Sequence, residues 1–222
     1  MEIKGSIPAI LRNDDRLYEG DLKHYFRVVF NHARNLRNPY HNFRHMFHVL
    51  WLCYQACLYY PLMSKREMRN LLIAAIFHDF DHTGVGGPDS ENIERALKGL
   101  RQCLLPDDLK SRREIEFLIR TTEYPYTVAA SELDLSGFII RDADLSQALS
   151  VAWFQQTIFG LSTEWGKEPI EVLRMQERFH RSFEFQTEWA REMFPPEVIE
   201  AKIDESKEFL EILADEPATV AS

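Results

Sequence analysis

Three short stretches of the chain gather imidazoles and carboxylates. In Asn38-Pro39-Tyr40-His41-Asn42-Phe43-Arg44-His45-Met46-Phe47-His48, the three histidines lie four and three residues apart, a spacing that brings them to one face if the segment is helical. His78-Asp79-Phe80-Asp81-His82 follows the apolar run Leu71 to Phe77, so its charges sit at the end of an interior element. Buried there, they need partners, hydrogen bonds or a cation. Arg141-Asp142-Ala143-Asp144 follows Phe138-Ile139-Ile140 and is rooted in the interior in the same way. Neutral imidazoles and ionised carboxylates converging from several elements are what a divalent cation needs, with part of the shell left open for water or substrate. Any one stretch alone reads equally as core histidines or a helix cap; their joint occurrence points to metal chemistry.

The elements that must position these groups read as helices almost throughout, because period-2 alternation is hard to find. Asp21 caps a segment with helical spacing at Tyr25, Phe26, Val29, Phe30 and Ala33 that ends near Asn38-Pro39. A second helix is predicted from about His41 to Tyr60, stopping at Pro61, and Ser64 to Glu67 is a capping box for a third. That third helix is apolar on every side in its second half and belongs at the centre of a bundle. Gly84, Gly86, Gly87 and Pro88 then make a loop, and Asp89-Ser90 caps a helix to about Gln102. Further helices are predicted over 109–122, 133–142, 145–159, 169–193 and 196–214. The fold class is therefore all-α, a single helical bundle over 1–222, with a core at about 38–145 and C-terminal helices at about 146–214 closing the pocket.

Composition narrows the function. The 222 residues are 45% apolar, enough for an ordinary globular core, and carry 26 basic against 35 acidic side chains, a net −9. No basic patch offsets that charge, so no nucleic-acid partner is expected. No stretch reaches the ~20 apolar residues of a membrane span, and the opening residues lack a secretory pattern. A soluble, cytoplasmic protein without a membrane partner is expected. Cys53, Cys57 and Cys103 form no disulfide framework; the first two read as buried thiols on one helix face.

The order His45, His78-Asp79, Asp144 resembles the metal signature of the HD-domain phosphohydrolase superfamily, whose fold is all-helical. The strings NPYHNFRH and FHDFDHTG and the Ala143-Asp144-Leu145-Ser146 run resemble, more narrowly, the class I 3′,5′-cyclic-nucleotide phosphodiesterases. The resemblance implies that His45, His78, Asp79 and Asp144 hold a transition metal such as Zn, Mn, Fe or Ni. Asp79 would also bridge to a second cation, Mg or Mn. It implies hydrolysis of a cyclic nucleotide to the 5′-monophosphate by a hydroxide shared between the two cations. His41 would be the general acid for the leaving 3′ oxygen, and Asp81 and His82 would orient ligands or water.

Gln176-Glu177-Arg178-Phe179 resembles the Gln-x-x-Phe with which that family holds a base, although Gln176 reads equally as an exposed residue of a long helix and Phe179 as its core anchor. No neighbour is evident to lock the Gln176 amide, so weak discrimination between adenine and guanine is expected. Thr122-Glu123 is similar to the family's Thr-Asp. The chain departs from the family in having His48 where an aspartate is usual, and in a short segment between His82 and Asp144, in which Asp89 to Asn92 is a compressed acidic element. A nucleotide phosphomonoesterase, or a hydrolase of another phosphorylated metabolite, uses the same metal chemistry. A non-catalytic helical domain with a structural metal is the reading from a different class.

Overall fold

The apolar run Leu71 to Phe77 sits, as its lack of a polar face requires, in the centre of the molecule, with every one of those residues wholly buried. The computed structural model describes residues 5–214, and all regular structure among them is helical. The order is α1 (Ile7–Arg12), α2 (Lys23–His32), α3 (Phe43–Tyr59), α4 (Lys65–Phe77), α5 (Asp89–Cys103), α6 (Arg112–Arg120), α7 (Leu135–Leu145), α8 (Leu161–Trp165), α9 (Pro169–Arg181), α10 (Glu188–Met193) and α11 (Pro196–Ala214). A π-helical segment, Phe154–Gly160, runs directly into α8. No helix among the described residues is long and apolar enough to cross a membrane.

α3 and α4 pack side by side as the central pair, and α2, α5, α6 and α7 surround α4. Ser64 begins α4 with the expected reciprocal cap, its hydroxyl accepting from Glu67 N while the Glu67 carboxylate accepts from Ser64 N. A second apolar cluster, Trp153, Ile158, Val172 and Leu173, joins the π-helical segment to α9 and α11. Cys53 and Cys57 are buried free thiols.

Three expected elements differ. The helix predicted from His41 begins at Phe43, because the Asn42 side chain caps it by accepting from Arg44 N at 2.8 Å and His45 N at 3.2 Å. The helix predicted over 145–159 is split into a 3₁₀ turn at Ser146–Leu149 and the π-helical segment. Ser146 Oγ donates to Ala143 O at 2.6 Å and Gln147 Nε2 to Ser150 Oγ at 3.0 Å, local side-chain bonds that compete with a regular helix. The helix predicted over 169–193 breaks between α9 and α10, where the buried Asp142 carboxylate accepts from Gln186 N, Thr187 N and Thr187 Oγ1.

A buried ionic cluster fastens α2 and α4 to the segment before α6. The Asp108 carboxylate, fully inaccessible, accepts from Arg69 Nε and Nη2 and from Arg66 Nη1, each at 2.7 Å, and from Tyr25 Oη at 2.6 Å. Burial raises its pKa, but these donors outweigh burial and hold it below the ordinary carboxylate value. Asp108→Ala leaves the buried Arg69 guanidinium without its carboxylate and is expected to cost about 3–5 kcal/mol, read as a lower urea midpoint. Because the folded-state pKa is depressed, this stabilisation is present above the unfolded-state value and is lost as pH falls through the folded one. The gap between wild type and variant is therefore expected to close in acid.

Candidate active site

The segment before α3 is held by asparagines. Asn35 Nδ2 donates to His41 O at 2.9 Å, Asn42 Nδ2 to Asn38 O at 2.9 Å, and Asn38 Nδ2 reaches across to His82 O at 2.9 Å. The last contact explains Gly84: its φ is +68°, and a Cβ there would lie 2.6 Å from Asn38 Nδ2. These bonds dock the His41 loop against the turn that follows α4, which carries His78 and Asp79.

Four side chains from α3, the end of α4 and the last turn of α7 converge. His45 Nε2 lies 2.9 Å from Asp144 Oδ1 and 3.3 Å from Asp79 Oδ2. His78 Nε2 lies 3.3 Å from Asp79 Oδ2, 3.8 Å from Asp144 Oδ1 and 3.3 Å from His45 Nε2. His45, His78 and Asp144 bring their ligand atoms within 4.8 Å of one another, a grouping that can hold a cation with Asp79 Oδ2 at its edge. His78 Nδ1 donates to Ala75 O at 2.9 Å, which leaves the Nε2 lone pair of the neutral ring facing the cluster. Burial opposes charge on His78, yet Asp79 and then Asp144 outweigh it and push the imidazole up to about 9. Carboxylates that draw a proton onto a buried ring demand positive charge at this point, and a divalent cation meets that demand with both imidazoles neutral. Asp79 Oδ2 is buried and has no hydrogen-bond donor. The donor set therefore fits a metal ion.

Beside this cluster stand His41, His82 and Glu164. His41 lies ahead of the helix, not on the same helical face as His45. Its Nδ1 is 2.5 Å from Glu164 Oε2, and Glu164 Oε1 accepts from the Tyr40 and His41 amides at 2.8 and 3.0 Å. Burial lowers the His41 pKa, but Asp79 and the hydrogen-bonded Glu164 outweigh it, so the ring is held above its ordinary value. His82 stacks on His41 with ring centroids 3.7 Å apart and planes 19° from parallel. The ligand atoms of this trio also lie within 4.8 Å of one another, but the stacked rings aim their in-plane lone pairs past one another, an arrangement that suits an acid and its support better than a second chelate. Burial and then His41 push His82 down to about 4; it is neutral, with Nδ1 accepting from Gly84 N at 3.0 Å.

Glu164 escaped the sequence reading. It is the only carboxylate between Asp144 and Glu168 in a segment of predominantly apolar and neutral residues, which is the signal that marks it. Gly160 is the reason it reaches His41: a Cβ at that position would lie 2.8 Å from Pro39 O, so only glycine lets the π-helical segment approach the loop.

A cleft of about 750 Å³ opens onto His78, Asp79 and Asp144 and is lined also by Tyr40, His41, His82, Thr122 and Asp89. Gln176 and Phe179 line its far wall. Gln176 is 3% exposed, which removes the reading of it as a surface residue. Its Nε2 donates to Val172 O at 3.1 Å and its buried Oε1 has no partner, so the amide is tied; the expectation of a freely turning group is corrected. The Phe179 ring meets Phe183 edge-on at 4.8 Å.

Asp81 is not brought into the cleft. It occupies a left-handed turn at φ +61°, and its Oδ1 accepts from Arg34 N at 2.8 Å, so it orders the turn rather than ligands. His48 is pushed down to about 4 by burial and then by His45, and its buried Nε2 lacks a partner.

Residues 40–95 match the family described as 3′5′-cyclic nucleotide phosphodiesterase. Over 79 residues the chain is 39% identical to the Homo sapiens protein named High affinity cGMP-specific 3′,5′-cyclic phosphodiesterase 9A, and 38% identical to the Mus musculus protein of that name. The match takes in 34% of this chain and only 13% of the human protein's length. Asp144, Glu164, Gln176 and Phe179 lie beyond the family match, on elements that the structure brings to the same cleft. Across the segment carrying His41, His45, His78, Asp79 and His82, the chain resembles the class I cyclic-nucleotide phosphodiesterases.

Proposed function

We propose that this protein is a metal-dependent phosphohydrolase that opens 3′,5′-cyclic nucleotides to 5′-monophosphates. The observation that carries the reading is the convergence of His45 Nε2, His78 Nε2, Asp79 Oδ2 and Asp144 Oδ1 at the floor of a cleft that His41 also lines, its imidazole held above its ordinary pKa by Asp79 and Glu164. His45, His78, Asp79 and Asp144 would hold divalent metal, which when bound would supply a water of lowered pKa and positive charge for the phosphoryl oxygens. The water oxygen bonds to phosphorus as the P–O3′ bond breaks, His41 gives its proton to the departing O3′, and the proton lost by the water passes to solvent, from which the imidazole is reprotonated. Glu164 holds the ring in orientation and favours its protonated form; His82 supports one face of it.

The test combines metal analysis with hydrolysis of cyclic AMP, cyclic GMP and bis(p-nitrophenyl) phosphate in Mn²⁺, Mg²⁺ or Ni²⁺. Turnover of nucleoside monophosphates with inert cyclic substrates would favour a phosphomonoesterase instead. Metal-induced stabilisation without turnover of any ester would favour a structural metal.

The base edge follows from Gln176. Gln176 lines the cleft, and its amide, once turned off Val172 O to meet a base, presents an acceptor to guanine's two ring-edge donors where adenine offers one. Cyclic GMP is therefore the favoured nucleotide, in keeping with the name of the human relative. One net hydrogen bond of about 1 kcal/mol predicts a KM lower by roughly fivefold to tenfold than that for cyclic AMP. Gln176→Ala is expected to erase that preference while sparing bis(p-nitrophenyl) phosphate; unchanged kinetics on all three places Gln176 outside the binding mode.

A further inference from the structure

The charges lining the cleft are segregated. Its four carboxylates, Asp79, Asp89, Asp144 and Glu164, belong to the metal-facing side, whereas both of its guanidiniums, Arg174 and Arg178, stand on α9 beside Gln176 and Phe179. Both arginines are exposed, and neither has an ion pair or hydrogen bond from its side chain among the described residues. The two acids within reach on the same helix are already engaged: Glu171 accepts from Glu168 N at 3.0 Å in the helix cap, and Glu177 pairs with Arg181 at 3.1 Å and Lys207 at 3.3 Å. Two like charges four residues apart on a helix repel one another. The helix dipole compensates only near the C-terminus, which serves Arg178; Arg174 lies outside the last turn. An unneutralised pair of this kind, kept at the rim of a cleft in a chain of net charge −9, is arranged for an anion that arrives with the ligand.

We infer that Arg174 and Arg178 receive a second anionic group of the substrate, so that the site favours a nucleotide with two phosphate groups: one at the metal centre, the other on α9, with a base between them on Gln176 and Phe179. The inference rests on the phosphohydrolase reading above for the first phosphate. The second group is supplied either by the other phosphodiester of a cyclic dinucleotide or by a terminal phosphate on a mononucleotide. In the first case, cleavage of one P–O3′ bond by water, with a proton from His41 to the leaving oxygen, yields the linear dinucleotide.

Equilibrium binding separates this inference from the catalytic reading. In metal-loaded His41→Ala protein, where turnover is slow, affinities are measured for cyclic GMP, the cyclic dinucleotide of guanine, and a cyclic GMP analogue bearing an added phosphate. The two-phosphate ligands are expected to bind at least tenfold tighter than cyclic GMP, more so at low salt. Arg174→Ala with Arg178→Ala is expected to remove most of that advantage, and the double lysine variant to restore part of it. Comparison of the two doubly charged ligands shows which source of the second phosphate fits. Equal losses for one- and two-phosphate ligands, or no initial advantage, overturn the inference. Failure of wild-type protein to hydrolyse bis(p-nitrophenyl) phosphate with any metal overturns the catalytic reading alone, because the binding comparison does not depend on turnover.

Discussion

Asp79→Ala is expected to abolish activity, by about 10³-fold or more, and to strip the protein of metal. Asp79 Oδ2 lies 3.3 Å from both His45 Nε2 and His78 Nε2, at the centre of the candidate donor cluster. Removing it takes away a donor and the negative charge that makes the cluster attractive to a cation. The measurement is metal content after dialysis, with hydrolysis assayed in excess Mn²⁺; helicity by circular dichroism shows that the bundle persists. Full metal and full activity in this variant would show that the four-residue assignment is mistaken. Asp144→Ala is expected to act in the same direction.

His41→Ala is expected to behave differently. None of the metal-directed contacts runs through His41, so metal content should hold, while hydrolysis of a cyclic nucleotide falls roughly 10²–10⁴-fold as a general acid is lost. A substrate whose leaving group needs no proton, such as bis(p-nitrophenyl) phosphate, should suffer far less. Glu164→Gln keeps the ring but removes the charge 2.5 Å from Nδ1, so the His41 pKa drops. The protonated acid is then lost at lower pH, and the alkaline limb of the pH–rate profile should move down. Equal losses on both substrate types would take the acid role from His41.

The parts of this site written as contiguous strings were legible before the fold was known, because two imidazoles and two carboxylates at the end of an apolar helix have few physical uses. What stayed hidden depends on distant contacts. Glu164 carries no local pattern, and it meets His41 only because Gly160 lets a π-helical segment touch Pro39. The break between α9 and α10 has no proline or glycine to announce it; Asp142, more than forty residues earlier, draws Gln186 and Thr187 out of helical bonding. His41, predicted to open the helix, stands ahead of it because Asn42, not an earlier residue, supplies the cap. Asp81 shares the histidine-rich string yet serves only the turn, since a left-handed backbone turns its carboxylate toward Arg34.

The order of the site along the chain has a consequence for how the protein is made. All four candidate metal donors precede residue 145, whereas the carboxylate that holds His41 comes at 164 and the α9 wall later still. As synthesis proceeds from the N-terminus, the emerging chain owns a complete donor set before it owns a working acid or a closed cleft. Under the proposed function, a cation captured at that stage would stabilise the growing core by mass action while hydrolysis is still out of reach. On this reading, a cell short of the metal loses yield of folded protein as well as turnover, and supplying the metal during expression recovers more active protein than adding it afterwards.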